Sequence, residues 1–303
     1  MELAKPTAGP GQVVVGVAAA GVNPVDAGNR ADPSWAGLTP PYVVGYEFAG
    51  WIDGVGAGVE EFAPGDAVWG LSPVRGTRWG TYAEFALLEA GWVGRRPADL
   101  DVVHAAATPL AGSTALQLLD RLALRAGESV LVLGASGGVG SLFVQLARML
   151  GIRVAGSSSV AGHRLLQEIG VEVVIDRERE DVVEAAVRGL GGPLDAVADL
   201  AGHGLLARSL SRVREGGSVA SIVELRGDFE EAIDRNLRLH GLLVRPDRDT
   251  LDRLGRAVAD GALRPIVDDV VEPSSIARAH RRLETGHGRG KVVLRMPLTG
   301  AVA

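Results

Sequence analysis

The sequence predicts an α/β chain with a doubly wound parallel sheet in its middle and a second, β-rich domain around it. Three observations predict it. Beyond residue 102 short apolar strands alternate with helical stretches. All five Trp, all three Tyr and three of the five Phe lie before residue 93, so the two parts build different kinds of core. The run 131–140, LVLGASGGVG, joins an apolar strand to a helix through a turn nearly devoid of side chains. At 303 residues the chain exceeds a typical single core, which makes two domains the natural expectation.

In the first part, residues 12–17, 48–55, 66–70 and 82–88 read as strands separated by Gly, Pro and Asp turns. The middle part places strands at 130–133, 154–156, 173–176, 196–200, 219–223 and 239–244, with an expected sheet order of 3-2-1-4-5-6. After Pro246 comes a helix over 250–260, with Leu251, Leu254 and Val258 on one face, ended by Gly261. A strand near 266–270, a helix over 274–283 and a strand at 291–295 follow. This tail is too small for a core of its own and is expected to pack onto the first part. The expected domains are therefore 1–101 with 247–303, and 102–246.

Glycine at 134, 137, 138 and 140 permits positive φ and close approach of amide N–H groups to phosphate oxygens, and the helix that follows adds a partial positive charge. The frame Ala135-x-Gly137-x-x-Gly140 between strand and helix points to a dinucleotide site. An acid at the end of the second strand would select NAD by bonding the ribose 2′-OH. None occurs from 141 through 167; Ser157, Ser158, Ser159, His163 and Arg164 stand there, and Arg177 follows the third strand. Hydroxyls and a guanidinium suit a 2′-phosphate, so NADP is the expected cofactor. The same residues also read as a polar loop with solvated arginines.

The net charge of −6 gives no basic footprint and argues against a nucleic-acid partner. Absence of cysteine excludes disulfides and thiolate metal sites, and the six histidines are scattered without ligand spacing, so no metal is expected. The first residues lack a basic-then-apolar pattern and no apolar run approaches membrane-spanning length, so a cytoplasmic protein with no membrane partner is expected.

The ordered motifs AAAGVNPVD (18–26), GYEFAG (45–50), VGAGVEEFAPGDAVWG (55–70), TPLAGSTAL (108–116), GASGGVG (134–140) and GRGKVVL (288–294) resemble the zinc-free quinone oxidoreductase branch of the medium-chain dehydrogenase/reductase superfamily. That branch includes ζ-crystallin-like enzymes and polyketide enoyl reductase domains, and the resemblance covers nearly the whole chain. It implies a Rossmann domain, a GroES-like domain, and hydride transfer from NADPH to a quinone or an activated C=C of an enone or enoyl group. By the resemblance, Thr114 bonds the nicotinamide carboxamide, while Asn23, Pro24, Val25 and Asp26 line the nicotinamide end. Ser136, Gly137, Gly138 and Val139 meet the pyrophosphate. Ala201, Ile222, Val223, Leu243, Val244 and Arg245 flank the adenosine and nicotinamide portions, and Lys291 returns towards the cofactor.

The chain departs from the pattern in three places. Tyr46 stands where zinc-dependent relatives have histidine. The lysine of many NADPH-using relatives aligns with Gly162, and a tyrosine after the third strand aligns with Arg177. An initial strand and hairpin of relatives is missing, so that either the start lies upstream or the β-rich domain has an open edge. With no metal to polarise a carbonyl, reduction rests on proximity and hydrogen bonding. Tyr46 is the first candidate donor to the substrate oxygen and Asn23 the second. Trp35, Trp69, Trp79 and Tyr82 are expected to shape an apolar substrate cleft. Leu237, Leu239, Leu242 and Val244 form an apolar edge on the last strand of the sheet, the expected seam of a homodimer. Two other readings stay open: an NADPH-binding protein without turnover, structural or nucleic-acid-binding, and an alcohol dehydrogenase.

Overall fold

The structure, a computed structural model, describes residues 2–286 and 288–297. Two compact units emerge: one runs up to Ser113 and takes in Val244–Gly261 and the chain from Pro265, and the other comprises Thr114–Leu243 with Ala262–Arg264. The first change of unit falls inside a helix, later than the boundary expected at residue 102.

The first unit is organised around β1 (Gln12–Val22), whose valine and alanine run is buried along nearly its whole length. Burial on both faces follows from its central place. β2 (Glu47–Val55) pairs antiparallel along it with two register shifts, β4 (Phe85–Glu89) takes its first half and β13 (Lys291–Arg295) its second. β3 (Ala67–Leu71), β5 (Val93–Arg95) and β12 (Val267–Val271) complete a seven-stranded sheet in the order β12-β13-β1-β2-β3-β5, with β4 off that path. Its helices are α1 (Pro24–Ala31), α2 (Val102–Ala106), the first turn of α3 (Pro109–Leu122), α9 (Arg248–Ala259) and α10 (Ile276–Glu284). Val13, Val15, Phe48, Ile52, Val68 and Leu88 share one core with Val271, Ala279, Val292 and Leu294. The tail thus completes the first part rather than standing alone.

The second unit is the doubly wound sheet. β6 (Ser129–Leu133), β7 (Arg153–Ser158), β8 (Val173–Asp176), β9 (Leu194–Asp199), β10 (Val213–Ser221) and β11 (Arg238–Gly241) are all parallel, in the order β11-β10-β9-β6-β7-β8. In order of appearance this is the expected 3-2-1-4-5-6 arrangement. β6 is buried at every residue, as a strand covered by helices on both faces must be. α4 (Gly138–Met149), α5 (His163–Glu168), α6 (Val182–Leu190), α7 (Leu205–Ser209) and α8 (Glu230–Asp234) make the crossovers. Among the described residues no helix is long and apolar enough to cross a membrane.

Candidate functional site

In the second unit, β6 ends and Gly134 turns the chain at φ 82°. Gly137 caps α4 with no side-chain hydrogen bond, and the Ser141 N–H is the one that bonds back to Gly137, at 2.9 Å. The amides of Gly138, Val139 and Gly140 therefore have no acceptor among the described residues. Open N–H groups at a helix N-terminus form a cradle for an anion. Beside it, the buried Asp199 carboxylate accepts the N–H groups of Ala201 (3.0 Å) and Gly202 (2.8 Å) and the Ser221 hydroxyl (3.3 Å). It fixes the loop after β9 at the carboxyl ends of the strands, where ligands of such sheets bind. Sequence reasoning passed over Asp199; the signal was an acid closing the apolar run 196–199.

At the end of β7, Ser157 and Ser158 are buried and Ser159 is half-buried. The Ser158 hydroxyl donates to the Ser159 carbonyl (2.9 Å), and the Arg177 N–H donates to the Ser158 carbonyl (3.0 Å). Arg164 lies almost wholly in solvent, paired with Glu168 one turn on. A Cβ at Gly162 would lie 2.7 Å from Ser136 Oγ and 2.8 Å from Ser158 Oγ, so a lysine at this position is sterically shut out. The residues present fit an NADP dinucleotide: unpaired amides for the pyrophosphate and hydroxyls, not a carboxylate, after the second strand. Thr114 is buried within α3, Ile222 N–H is held by the Asp199 carbonyl (3.2 Å), and Val223 and Leu243 are exposed. Val244 packs in the first unit with Tyr46, Leu71 and Leu110, and Arg245 is exposed.

The first unit gathers a buried polar cluster from five distant segments. β1 ends at Val22, Asn23 stays extended, and Pro24 opens α1 with the φ that a first helical residue needs. Asp26, one turn in, accepts the Asn23 N–H at 2.7 Å and the Tyr82 hydroxyl at 2.8 Å, both on Oδ2; its Oδ1 is buried without a partner. Glu47, at the start of β2, accepts the Asn23 side-chain amide (2.8 Å), the Leu110 N–H (2.8 Å) and the Lys291 ammonium (2.5 Å). Gly21 makes room for that carboxylate, since a Cβ there would lie 2.2 Å from Glu47 Oε1. Lys291 Nζ also donates to Asn23 Oδ1 and the Val22 carbonyl.

This geometry corrects three expectations. Lys291 does not turn to a cofactor: its three N–H bonds are all taken inside the unit, and its side chain is 5 % exposed. Asn23 has both ends of its amide engaged and is buried, so it positions its neighbours rather than meeting a substrate. Tyr46 is 0 % exposed, its hydroxyl accepting from Asn29 Nδ2 at 2.7 Å, and burial pushes its phenol above the usual range. A phenol with no accessible surface is a core residue, not a donor to a ligand. Tyr46→Phe is expected to cost about 1 kcal/mol of stability, one net hydrogen bond, and to leave turnover within about threefold. A loss beyond about a hundredfold in steady-state assays would restore Tyr46 to the chemistry.

The aromatic set separates likewise. Trp69 is fully buried, its indole lying over Gly94 and Gly255, and cannot line a cleft. Trp35 and Trp79 are exposed, each beneath an arginine, Arg75 at 5.2 Å and Arg78 at 4.8 Å. Tyr82 is partly exposed.

Burial pushes the Asp26 carboxyl up to about 7; the Asn23 N–H, the Tyr82 hydroxyl and the Lys291 ammonium pull it down without overcoming that penalty, and Glu47 adds to it. An acid raised on folding stabilises most below its unfolded pKa, near 3.9, and that stability is lost as pH rises through about 7. The span amounts to about 4 kcal/mol. Urea unfolding from pH 4 to 8 is expected to show this decline, and Asp26→Asn to flatten it. A variant with the wild-type slope would show that another group titrates.

Among the described residues no group of three or more His, Cys, Asp or Glu gathers as metal ligands. With no cysteine in the chain and Tyr46 closed off, the donors among the described residues do not fit a zinc ion.

A β-rich unit together with a dinucleotide-type sheet defines a two-domain dehydrogenase or reductase. The chain matches the alcohol dehydrogenase GroES-like domain over residues 9–98 and the zinc-binding dehydrogenase family over residues 169–294. It is 33 % identical over 292 residues to 2-methylene-furan-3-one reductase of Solanum lycopersicum, covering 93 % of this chain and 71 % of that one. It is 32 % identical over 292 residues to the chloroplastic NADPH-dependent alkenal/one oxidoreductase of Arabidopsis thaliana, covering 93 % and 72 %. The solved quinone oxidoreductase of Coxiella burnetii superimposes with a TM-score of 0.89 at 30 % identity, over 97 % of this chain and 93 % of that one. The chain belongs to the medium-chain dehydrogenase/reductase superfamily.

Proposed function

We propose that this chain is an NADPH-dependent oxidoreductase that reduces a quinone or the electron-poor C=C of an enone without a metal ion. The observation that carries the reading is the row of open amides at Gly138, Val139 and Gly140 next to a β7 end furnished with serines. Names of relatives point the same way: an alkenal/one oxidoreductase that depends on NADPH, a furanone reductase and a quinone oxidoreductase. NADPH, when bound, supplies the hydride. The amides of α4 and the Asp199-braced loop hold the dinucleotide, and Ser157, Ser158 and Ser159, with Arg177 next to Ser158, answer its 2′-phosphate. Holding the two reactants at contact distance provides most of the rate, through avoided loss of translational freedom.

The same reading makes the protein a cytoplasmic enzyme with a small apolar substrate and no nucleic-acid partner. It also makes it a homodimer through β11, an edge strand of the sheet, although of the four apolar residues expected to form that seam only Leu239 is exposed: Leu237 and Leu242 are half-buried, Leu237 packing on the core of the second unit, and Val244 is buried in the first unit. A monomer by sedimentation at micromolar concentration would remove the dimer. The deciding assay follows oxidation of NADPH and NADH in parallel against quinones, cyclic enones and alkenals. Turnover preferring NADPH is expected; tight NADPH binding with no turnover on any acceptor would replace the enzyme by a binding protein.

A further inference from the structure

Three successive residues of the second unit, Gly202, His203 and Gly204, hold left-handed backbone conformations, with φ of 81°, 67° and 68°. Glycine takes that conformation freely, whereas a residue with a Cβ stays there when its surroundings hold it. The segment joins β9 to α7, and two glycines around one residue would leave such a loop many shapes. A carboxylate holds its middle: the His203 N–H donates to Glu224 Oε1 at 2.9 Å.

Glu224 lies in the loop after β10 and is itself fixed. Its N–H and that of Val223 donate to Ser221 Oγ, at 3.2 and 3.1 Å, and the Ser221 hydroxyl donates to Asp199 Oδ2. Asp199 Oδ1 accepts the Ala201 and Gly202 N–H groups. The hydrogen bonds thus close a ring through 199, 201–203, 224 and 221, and join the two loops at the carboxyl ends of β9 and β10. Close packing follows the same line. A Cβ at Gly202 would lie 3.3 Å from Glu224 Oε1, and one at Gly227 2.6 Å from Ala207 Cβ. The ring also reaches the turn after β6: the Leu200 N–H donates to the Leu133 carbonyl at 3.1 Å, and a Cβ at Gly134 would lie 3.4 Å from Ala201 Cβ. That turn leads directly to the amides of 138–140.

The members of the ring differ in burial. Asp199 and Ser221 are buried, so removing either disturbs the interior of the unit. The Glu224 side chain is 31 % exposed, and its second oxygen pairs with the exposed Arg226 at 3.4 Å. A pair of that kind contributes little to stability. Between the exposed side chains of Val223 and Leu225, a carboxylate turned back onto a backbone N–H shapes the loop rather than supporting the core.

We propose that Glu224 is a positioning residue for NADPH. By holding the His203 N–H it keeps the 200–204 loop against the Gly134 turn, so that the amide cradle is formed before the dinucleotide arrives; this rests on the reading of that cradle as the NADPH site. A loop ordered in advance spares the ligand an ordering cost that would otherwise lower its affinity. Glu224 acts through the loop and takes no part in the hydride step.

NADPH titrations of wild type, Glu224→Ala, Glu224→Gln and Arg226→Ala, followed by fluorescence, test the assignment. Glu224→Ala is expected to weaken NADPH binding about tenfold, the equivalent of one net hydrogen bond, and to raise the KM for NADPH likewise, with kcat at saturating NADPH within about twofold of wild type. Glu224→Gln, whose amide oxygen still accepts the His203 N–H, should keep wild-type affinity, and so should Arg226→Ala. Without NADPH, amide hydrogen exchange over 200–204 should be faster in Glu224→Ala than in the wild type, at an unchanged melting temperature. Four results overturn the assignment: Glu224→Ala binding within about twofold of wild type, Glu224→Gln no better than Glu224→Ala, Arg226→Ala as weak as Glu224→Ala, or a loss of affinity matched by a general loss of thermal stability. A wild type that binds no NADPH removes the cofactor reading itself, a result distinct from an unaltered Glu224→Ala.

Discussion

Lys291→Met is expected to destabilise the first unit by about 3–5 kcal/mol, because it strands the Glu47 carboxylate in the interior without its cation. The ammonium ties the end of β1, the start of β2 and the start of β13, while the same carboxylate holds the Leu110 N–H at the start of α3. Removing one partner of a buried pair costs more than removing both, since the remaining charge loses the attraction that offset its desolvation. The double variant Glu47→Gln/Lys291→Met should therefore recover at least half the loss, as the neutral amide oxygen it introduces can still accept from the Leu110 N–H. Urea denaturation of the two variants checks both statements. A single variant within about 1 kcal/mol of wild type, or a double variant no better than the single, would show that the pair does not hold these segments together.

The second unit was legible because its strands are continuous apolar runs bounded by glycine and its helices follow at short intervals. SVLVL and the glycines after it read directly as strand, turn and helix. The polar cluster was not legible, for a physical reason: Asn23 and Glu47 are 24 residues apart, and Lys291 lies 244 residues beyond Glu47. No local period links them. A trace was present, since Glu47 and Lys291 are charges placed directly before apolar, buried runs of their strands, and a charge entering a core requires a partner. Trp69 misled for a related reason. The whole of 68–71 is buried, so alternation gives no signal, and an indole placed over two glycines looks in sequence like one facing a ligand. Tyr46 misled likewise, because the Asn29, Leu71 and Leu110 side chains that close it off come from segments no local pattern connects.

Gly140→Ala is expected to weaken NADPH binding about a hundredfold and to lower stability by about 1–3 kcal/mol, in the manner of an overpacked core. Ordinarily alanine would favour a helix by about 1 kcal/mol over glycine, so the sign itself is diagnostic. A Cβ at 140 would lie 2.3 Å from the Gly134 carbonyl oxygen and 2.7 Å from Ala135 Cα, all backbone atoms that cannot swing aside. The turn after β6 must open, and the amides of residues 138–140 then lose their common direction. Losing one or two charge-assisted hydrogen bonds of about 1.5–3 kcal/mol each accounts for the affinity change. Gly137→Ala provides the contrast: its φ is −73° and the nearest contact a Cβ would make is 3.4 Å, so wild-type stability is expected. Cofactor titration by NADPH fluorescence, paired with thermal melts, separates the two variants. Gly140→Ala with wild-type melting and wild-type NADPH affinity would mean that the close approach of α4 to the turn is not what aligns the amides.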